Sequence, residues 1–65
     1  MNYNVKFARI NKQLTQEELC KLIGISRNKL SAIENGNFKT LSYELMVKLS
    51  DTLDVSIQEL FFNER

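Results

Sequence analysis

Apolar and polar positions along this chain fall into short blocks that open in the same way. An apolar residue is followed by Ser or Thr, and another apolar residue stands four positions after that hydroxyl: Leu14-Thr15 with Leu19, Ile25-Ser26 with Leu30, Leu41-Ser42 with Met46, and Val55-Ser56 with Leu60. A hydroxyl so placed accepts a bond from an amide that the first turn of a helix leaves unpaired, and the flanking apolar pair closes as a hydrophobic staple. Four helix starts are therefore expected. Thr15 with Glu18 and Ser56 with Glu59 add the carboxylate of a capping box. Ahead of these, Tyr3, Phe7, Ile10 and Leu14 recur at spacings of four, three and four, the period of one helical face, which predicts a first helix. Gly24 and Gly36 stand where a left-handed residue ends a helix. The chain reads as all-α, with five helices at about 4–11, 16–23, 27–35, 43–53 and 57–62.

The apolar positions of these helices, Leu19, Ile23, Leu30, Ile33, Leu45, Leu49, Leu53, Ile57, Leu60 and Phe61, are expected to share one core, with Cys20 and Ala32 as small residues on interior-leaning faces. At 65 residues there is material for a single compact domain, 1–65, and too little for a deep catalytic cleft with its supporting shells. With no proline and only two glycines, the composition favours helices joined by short turns. No apolar run is long enough to span a bilayer, and MNYNVKFARINKQ lacks the apolar stretch of a secretory signal, so a cytoplasmic protein is expected.

Chemistry is narrowed further by what the side chains can do. One cysteine, Cys20, cannot form an internal disulfide, and the absence of histidine removes Cys/His zinc sites and Ser–His or Cys–His nucleophile pairs. Glu17 and Glu18 diverge on a helix and are better placed to compensate the helix dipole than to act as paired acid and base. The reading is of a non-enzyme with no catalytic residues, metal or cofactor. Net charge is only +1, but residues 1–41 carry seven basic side chains against three acidic ones, whereas residues 42–65 carry two against five. A chain polarised in this way can turn a positive face to a polyanion.

The link between the second and third helices is two or three residues around Gly24-Ile25, and a helix pair that turns sharply through a glycine is a helix-turn-helix. Leu30 and Ile33 turn inward on the third helix, leaving Arg27, Asn28, Lys29 and Ser31 free to face outward. The segment LTQEELCKLIGISRNKLSAIENG, Leu14 to Gly36, resembles the Cro and phage-repressor helix-turn-helix family of bacterial regulators, also called the xenobiotic-response-element family. The likeness continues through LSDTLDVSIQELF, Leu49 to Phe61, which resembles that family's fourth helix, connecting turn and fifth helix. It implies a five-helix lambda-repressor-like domain that binds double-stranded DNA and regulates transcription, with helices 2 and 3 as the helix-turn-helix.

The resemblance implies that Gln16 contacts a phosphate and that Arg27, Asn28 and Ala32, with Ser31 beside them, lie over base edges. Arginine can take guanine and asparagine adenine in bidentate contacts, and Ala32 can touch a thymine methyl. Lys29, Asn35, Asn37, Lys39 and Thr40 are candidate contacts to the DNA backbone, which set register without reading sequence. The likeness also implies that Arg9 pairs with Glu34 as a structural ion pair. Two departures stand out: Gln13 where many relatives carry glycine or asparagine, and a loop, Asn37 to Leu41, without the proline often found there.

A domain this small covers few base pairs, so a homodimer on half-sites about 34 Å apart is expected. Its contact surface is assigned to Leu60, Phe61, Phe62 and Asn63 together with Phe38. Phe61 also fits the core, and Phe38 and Phe62 either form the interface or fold over the domain's own edge. Repression is the expected output, because a bare domain has little spare surface for recruiting polymerase. The alternative is a protein-interaction module that docks a partner, as in a toxin–antitoxin or restriction–modification system, and binds DNA weakly.

Overall fold

The computed structural model describes residues 4–62. Tyr3 and Asn63, assigned above to the first helical face and the dimer contact, lie outside the described residues. Within them are four α-helices, α1 (Asn4–Asn11), α2 (Gln16–Ile23), α3 (Arg27–Glu34) and α4 (Tyr43–Leu53), and a fifth helix, Gln58–Phe62, wound as a π-helix. There is no strand among the described residues. The fold is all-helical and lambda-repressor-like. No described helix is long and apolar enough to cross a membrane.

The hydroxyl pattern sets the helix starts. Thr15 Oγ1 accepts the Glu18 amide at 3.1 Å while Glu18 Oε1 accepts the Thr15 amide at 2.9 Å, a complete capping box. Ser26 Oγ takes the Lys29 amide and Ser42 Oγ the Leu45 amide, both at 3.1 Å. Such caps are worth about 1 kcal/mol each. At Ser56 the expected box takes another form. The hydroxyl accepts the Glu59 amide at 3.1 Å, but the Glu59 carboxylate meets that same hydroxyl at 3.4 Å, where Glu18 meets a backbone amide. The Glu59 carbonyl accepts a bond from Asn4 Nδ2, which ties the π-wound turn to the start of α1.

The ends are equally local. α3 stops at Glu34, one residue before the expected end, because the Gly36 amide donates to Ile33 O at 3.0 Å and the Asn37 amide to Ala32 O at 2.8 Å, with Gly36 left-handed at φ 91. This is the Schellman closure, and glycine adopts it without a Cβ penalty. α1 closes in the same way on a residue that is poorly suited to it: Gln13 sits at φ 60, its amide donating to Ile10 O at 2.8 Å and that of Leu14 to Arg9 O at 3.1 Å. Asp54 takes the left-handed position after α4.

The core is built from Val5 and Ala8 of α1, Leu19, Cys20 and Ile23 of α2, Leu30 and Ile33 of α3, Leu45, Leu49 and Leu53 of α4, and Leu60 and Phe61. Each fully buried leucine contributes about 1.5–3 kcal/mol. Ile57 packs on the margin of this core, and Ala32 is half-buried. Burial pushes the Cys20 thiol above its usual range, with the nearby Arg27 charge pulling the other way. The apolar face that located α1 is not its inward face: Phe7 and Ile10 are 60% and 52% exposed, while Val5, Ala8 and Arg9 are buried.

Arg9 is buried because it has partners. Its Nε donates to Glu34 Oε2 at 2.7 Å and its Nη1 to the Leu14 carbonyl at 2.8 Å, so one guanidinium joins α1 to the end of α3 and to the approach to α2. Removing one member of such a pair strands the other charge in the core, whereas removing both is far milder. Arg9→Met should therefore lose about 3–5 kcal/mol in urea unfolding, and Arg9→Met/Glu34→Leu should recover much of it; a double variant as unstable as the single would contradict this role. Gln13→Gly should gain about 0.5–1 kcal/mol in the same measurement, the balance of a left-handed penalty of about 1–2 and the glycine entropy cost. No gain would show that Gln13 is unstrained.

Candidate nucleic-acid interface

Gly24, left-handed at φ 77, lets the chain leave α2 and reach the Ser26 cap within two residues, and α3 begins immediately at Arg27. The turn delivers the first residues of α3 to the surface while Leu30 and Ile33, one helical face away, are fully buried. Arg27 and Asn28 are exposed; Ser31 and Ala32 are half-buried. Arg27, Asn28 and Ser31, together with Gln16 at the start of α2, line one open hollow of about 410 Å³. Two hydrogen-bonding side chains suited to base edges, a second amide and a hydroxyl thus converge on a single wet surface.

Gln16 is held at the rim of this hollow. Its Nε2 donates to Glu34 Oε1 at 2.9 Å, on the carboxylate whose other oxygen takes Arg9. Lys29 is drawn apart from Arg27, Asn28 and Ser31. It is half-buried and lines a separate hollow of about 180 Å³ with Gly24, Ser42, Glu44 and Lys48. The cations at the α3–α4 side are therefore Lys29 and Lys48 together, and Lys48 had no motif to mark it.

Asn35, Asn37, Lys39 and Thr40 are exposed in the loop after α3. Asn37 Oδ1 accepts the Lys39 amide at 3.2 Å, which gives the proline-free loop a local turn of its own.

The aromatic end is only partly available to a partner. Leu60 and Phe61, assigned to the dimer contact, are buried at 0% and 5% exposure and belong to the core. Phe38 is half-buried, its ring edge-on to Phe61 with centroids 5.4 Å apart at 87°, so it folds over the domain's own edge. Apolar packing inside the monomer outcompetes display of these rings. Among the described residues of the assigned set, Phe62 alone is largely exposed, at 60%.

A family model described as a helix-turn-helix domain matches residues 2–64. Over 64 residues the chain is 36% identical to an uncharacterized HTH-type transcriptional regulator of Methanocaldococcus jannaschii, covering 98% of this chain and 96% of that one. It is 39% identical over 57 residues to Antitoxin PezA of Streptococcus pneumoniae, covering 88% of this chain and 35% of the relative. It is 34% identical over 61 residues to the uncharacterized HTH-type transcriptional regulator YqaE of Bacillus subtilis, covering 94% of this chain and 52% of that one. With a sharp α2–α3 turn, a capped and outward-facing start to α3 and a match along nearly its whole length, the chain belongs to the helix-turn-helix domain family of Cro and phage-repressor type.

Proposed function

We propose that this chain works as a single sequence-specific DNA-binding domain, a cytoplasmic transcriptional repressor that sets α3 in the major groove of double-stranded DNA as a homodimer. The observation that carries this reading is the shared hollow of Gln16, Arg27, Asn28 and Ser31 on the wet flank of a helix whose other flank is core. Arg27 and Asn28 read guanine and adenine edges, and Ser31 and Ala32 contact the neighbouring base positions. Gln16, Asn35, Asn37, Lys39 and Thr40 hold the phosphates on either side. Lys29 joins them from the flank that it shares with Lys48. Phe62, exposed at the end of the fifth helix, supplies the apolar part of the contact between copies.

The similarity to a protein named an antitoxin supports a second reading, a module that docks a protein partner and binds DNA weakly. Titration of a duplex taken from upstream of the gene separates the two. The regulator reading expects affinity to fall with salt along a log–log slope of about −0.9 for each phosphate neutralised; binding that is absent, or indifferent to salt, favours the module.

Base reading and phosphate holding are separated by two substitutions in the same assay. Arg27→Ala should lose about 1–3 kcal/mol on the cognate site and relax preference at one base position. Gln16→Ala should weaken all sites alike. Equal losses on every sequence for Arg27→Ala, or a changed base preference for Gln16→Ala, would reverse the assignments.

A further inference from the structure

We infer that Glu34 is a positioning residue for DNA binding: its buried carboxylate fixes the side-chain amide of Gln16 so that one N–H stands ready for a phosphate oxygen. This rests on the reading of the chain as a DNA-binding regulator. The two oxygens of Glu34 have different partners, Oε2 taking Arg9 Nε at 2.7 Å and Oε1 taking Gln16 Nε2 at 2.9 Å, and the side chain is only 5% exposed. An ionised carboxylate accepts and cannot donate, so it selects the nitrogen end of the amide and sets its orientation.

The consequence follows from donor counting. A phosphate oxygen also only accepts, so a glutamine can hold it through N–H alone. The amide nitrogen of Gln16 has two hydrogens, one of which is engaged by Glu34; the second lies in the same amide plane, on a side chain that lines the hollow with Arg27, Asn28 and Ser31. A glutamine without this tether samples several rotamers and both amide orientations, and ordering it on binding lowers affinity. The tether meets that ordering in the free protein.

Charge explains why a carboxylate is tolerated so close to a phosphate. Glu34 is neutralised by Arg9, so the DNA backbone approaches a buried ion pair and not a lone anion. The bond also crosses the motif: Gln16 opens α2 and Glu34 closes α3. The position of the phosphate contact is thereby locked to the helix that reads the bases.

A double-mutant cycle tests this. Gln16→Ala is made in the full chain and in an Arg9→Met/Glu34→Leu background, and both pairs are titrated with one duplex of two helical turns at low salt. Positioning predicts that Gln16→Ala weakens binding about 3- to 10-fold more in the native background than in the double variant. An equal fold-loss in both backgrounds overturns the inference and leaves the regulator reading intact, whereas a native chain that binds no duplex overturns both.

Because the double variant can fail to fold, the native chain without DNA gives a second readout. The two side-chain amide protons of Gln16 should be rigid by nuclear relaxation and in Overhauser contact with Glu34. A freely rotating amide there overturns the inference on its own.

Discussion

A guanidinium and a carboxylate 2.7 Å apart, both shielded from water, sit where three helices of this small fold meet. Arg9 brings α1, Glu34 brings the end of α3, and the remaining bonds of the pair reach the Leu14 carbonyl and the Gln16 amide at the entrance to α2. Burying two charges is costly unless each is paired and its leftover hydrogen-bonding capacity is used. Here no buried side-chain polar atom among the described residues is left without a partner. Aliphatic contacts among Leu19, Leu30, Leu49 and Leu60 supply the cohesion, but they are non-directional. The ion pair and its bonds add direction, specifying how the helix-turn-helix sits on α1.

From that frame the surface follows by short steps. A left-handed Gly24 ends α2, the Ser26 hydroxyl opens α3, and across this three-residue link the chain passes from buried Ile23 to exposed Arg27 and Asn28. The polar flank is thus held by rigid backbone on both sides, and little ordering remains to be done when a ligand arrives. The same economy applies at the other end, where Phe61 and Phe38 close over the core and leave Phe62 outward.

Much of this was legible in the sequence because its causes are local. Caps at Thr15, Ser26, Ser42 and Ser56 act within three residues, so the hydroxyl pattern alone located the helix starts. The Gln13 departure likewise shows its consequence on the spot, a left-handed residue with a full side chain. The inward face of α1 was hidden because it is made of two small apolar residues and a charge, so the larger Phe7 and Ile10 dominated the pattern from the solvent side. The tether from Gln16 to Glu34 joins residues 18 apart, and neither residue type signals it. The Arg9–Glu34 pair came from family likeness and not from spacing, and the division of Lys29 from Arg27 depends on how α4 packs. For Leu60 and Phe61, burial was decided by the contact between the fifth helix and the rest of the fold, which no local rule reports.

The central claim is that the wet flank at the start of α3, framed by Gln16, is the surface that meets DNA. Its most direct test is a two-dimensional amide NMR titration of the full chain with duplex DNA. The account predicts that shifts concentrate at Gln16, at Arg27 to Ala32 and in the loop from Asn35 to Thr40, with the exposed face of α1 around Phe7 and Ile10 undisturbed. Changes centred on α1 or Phe62, with Arg27 and Asn28 unmoved, would contradict it.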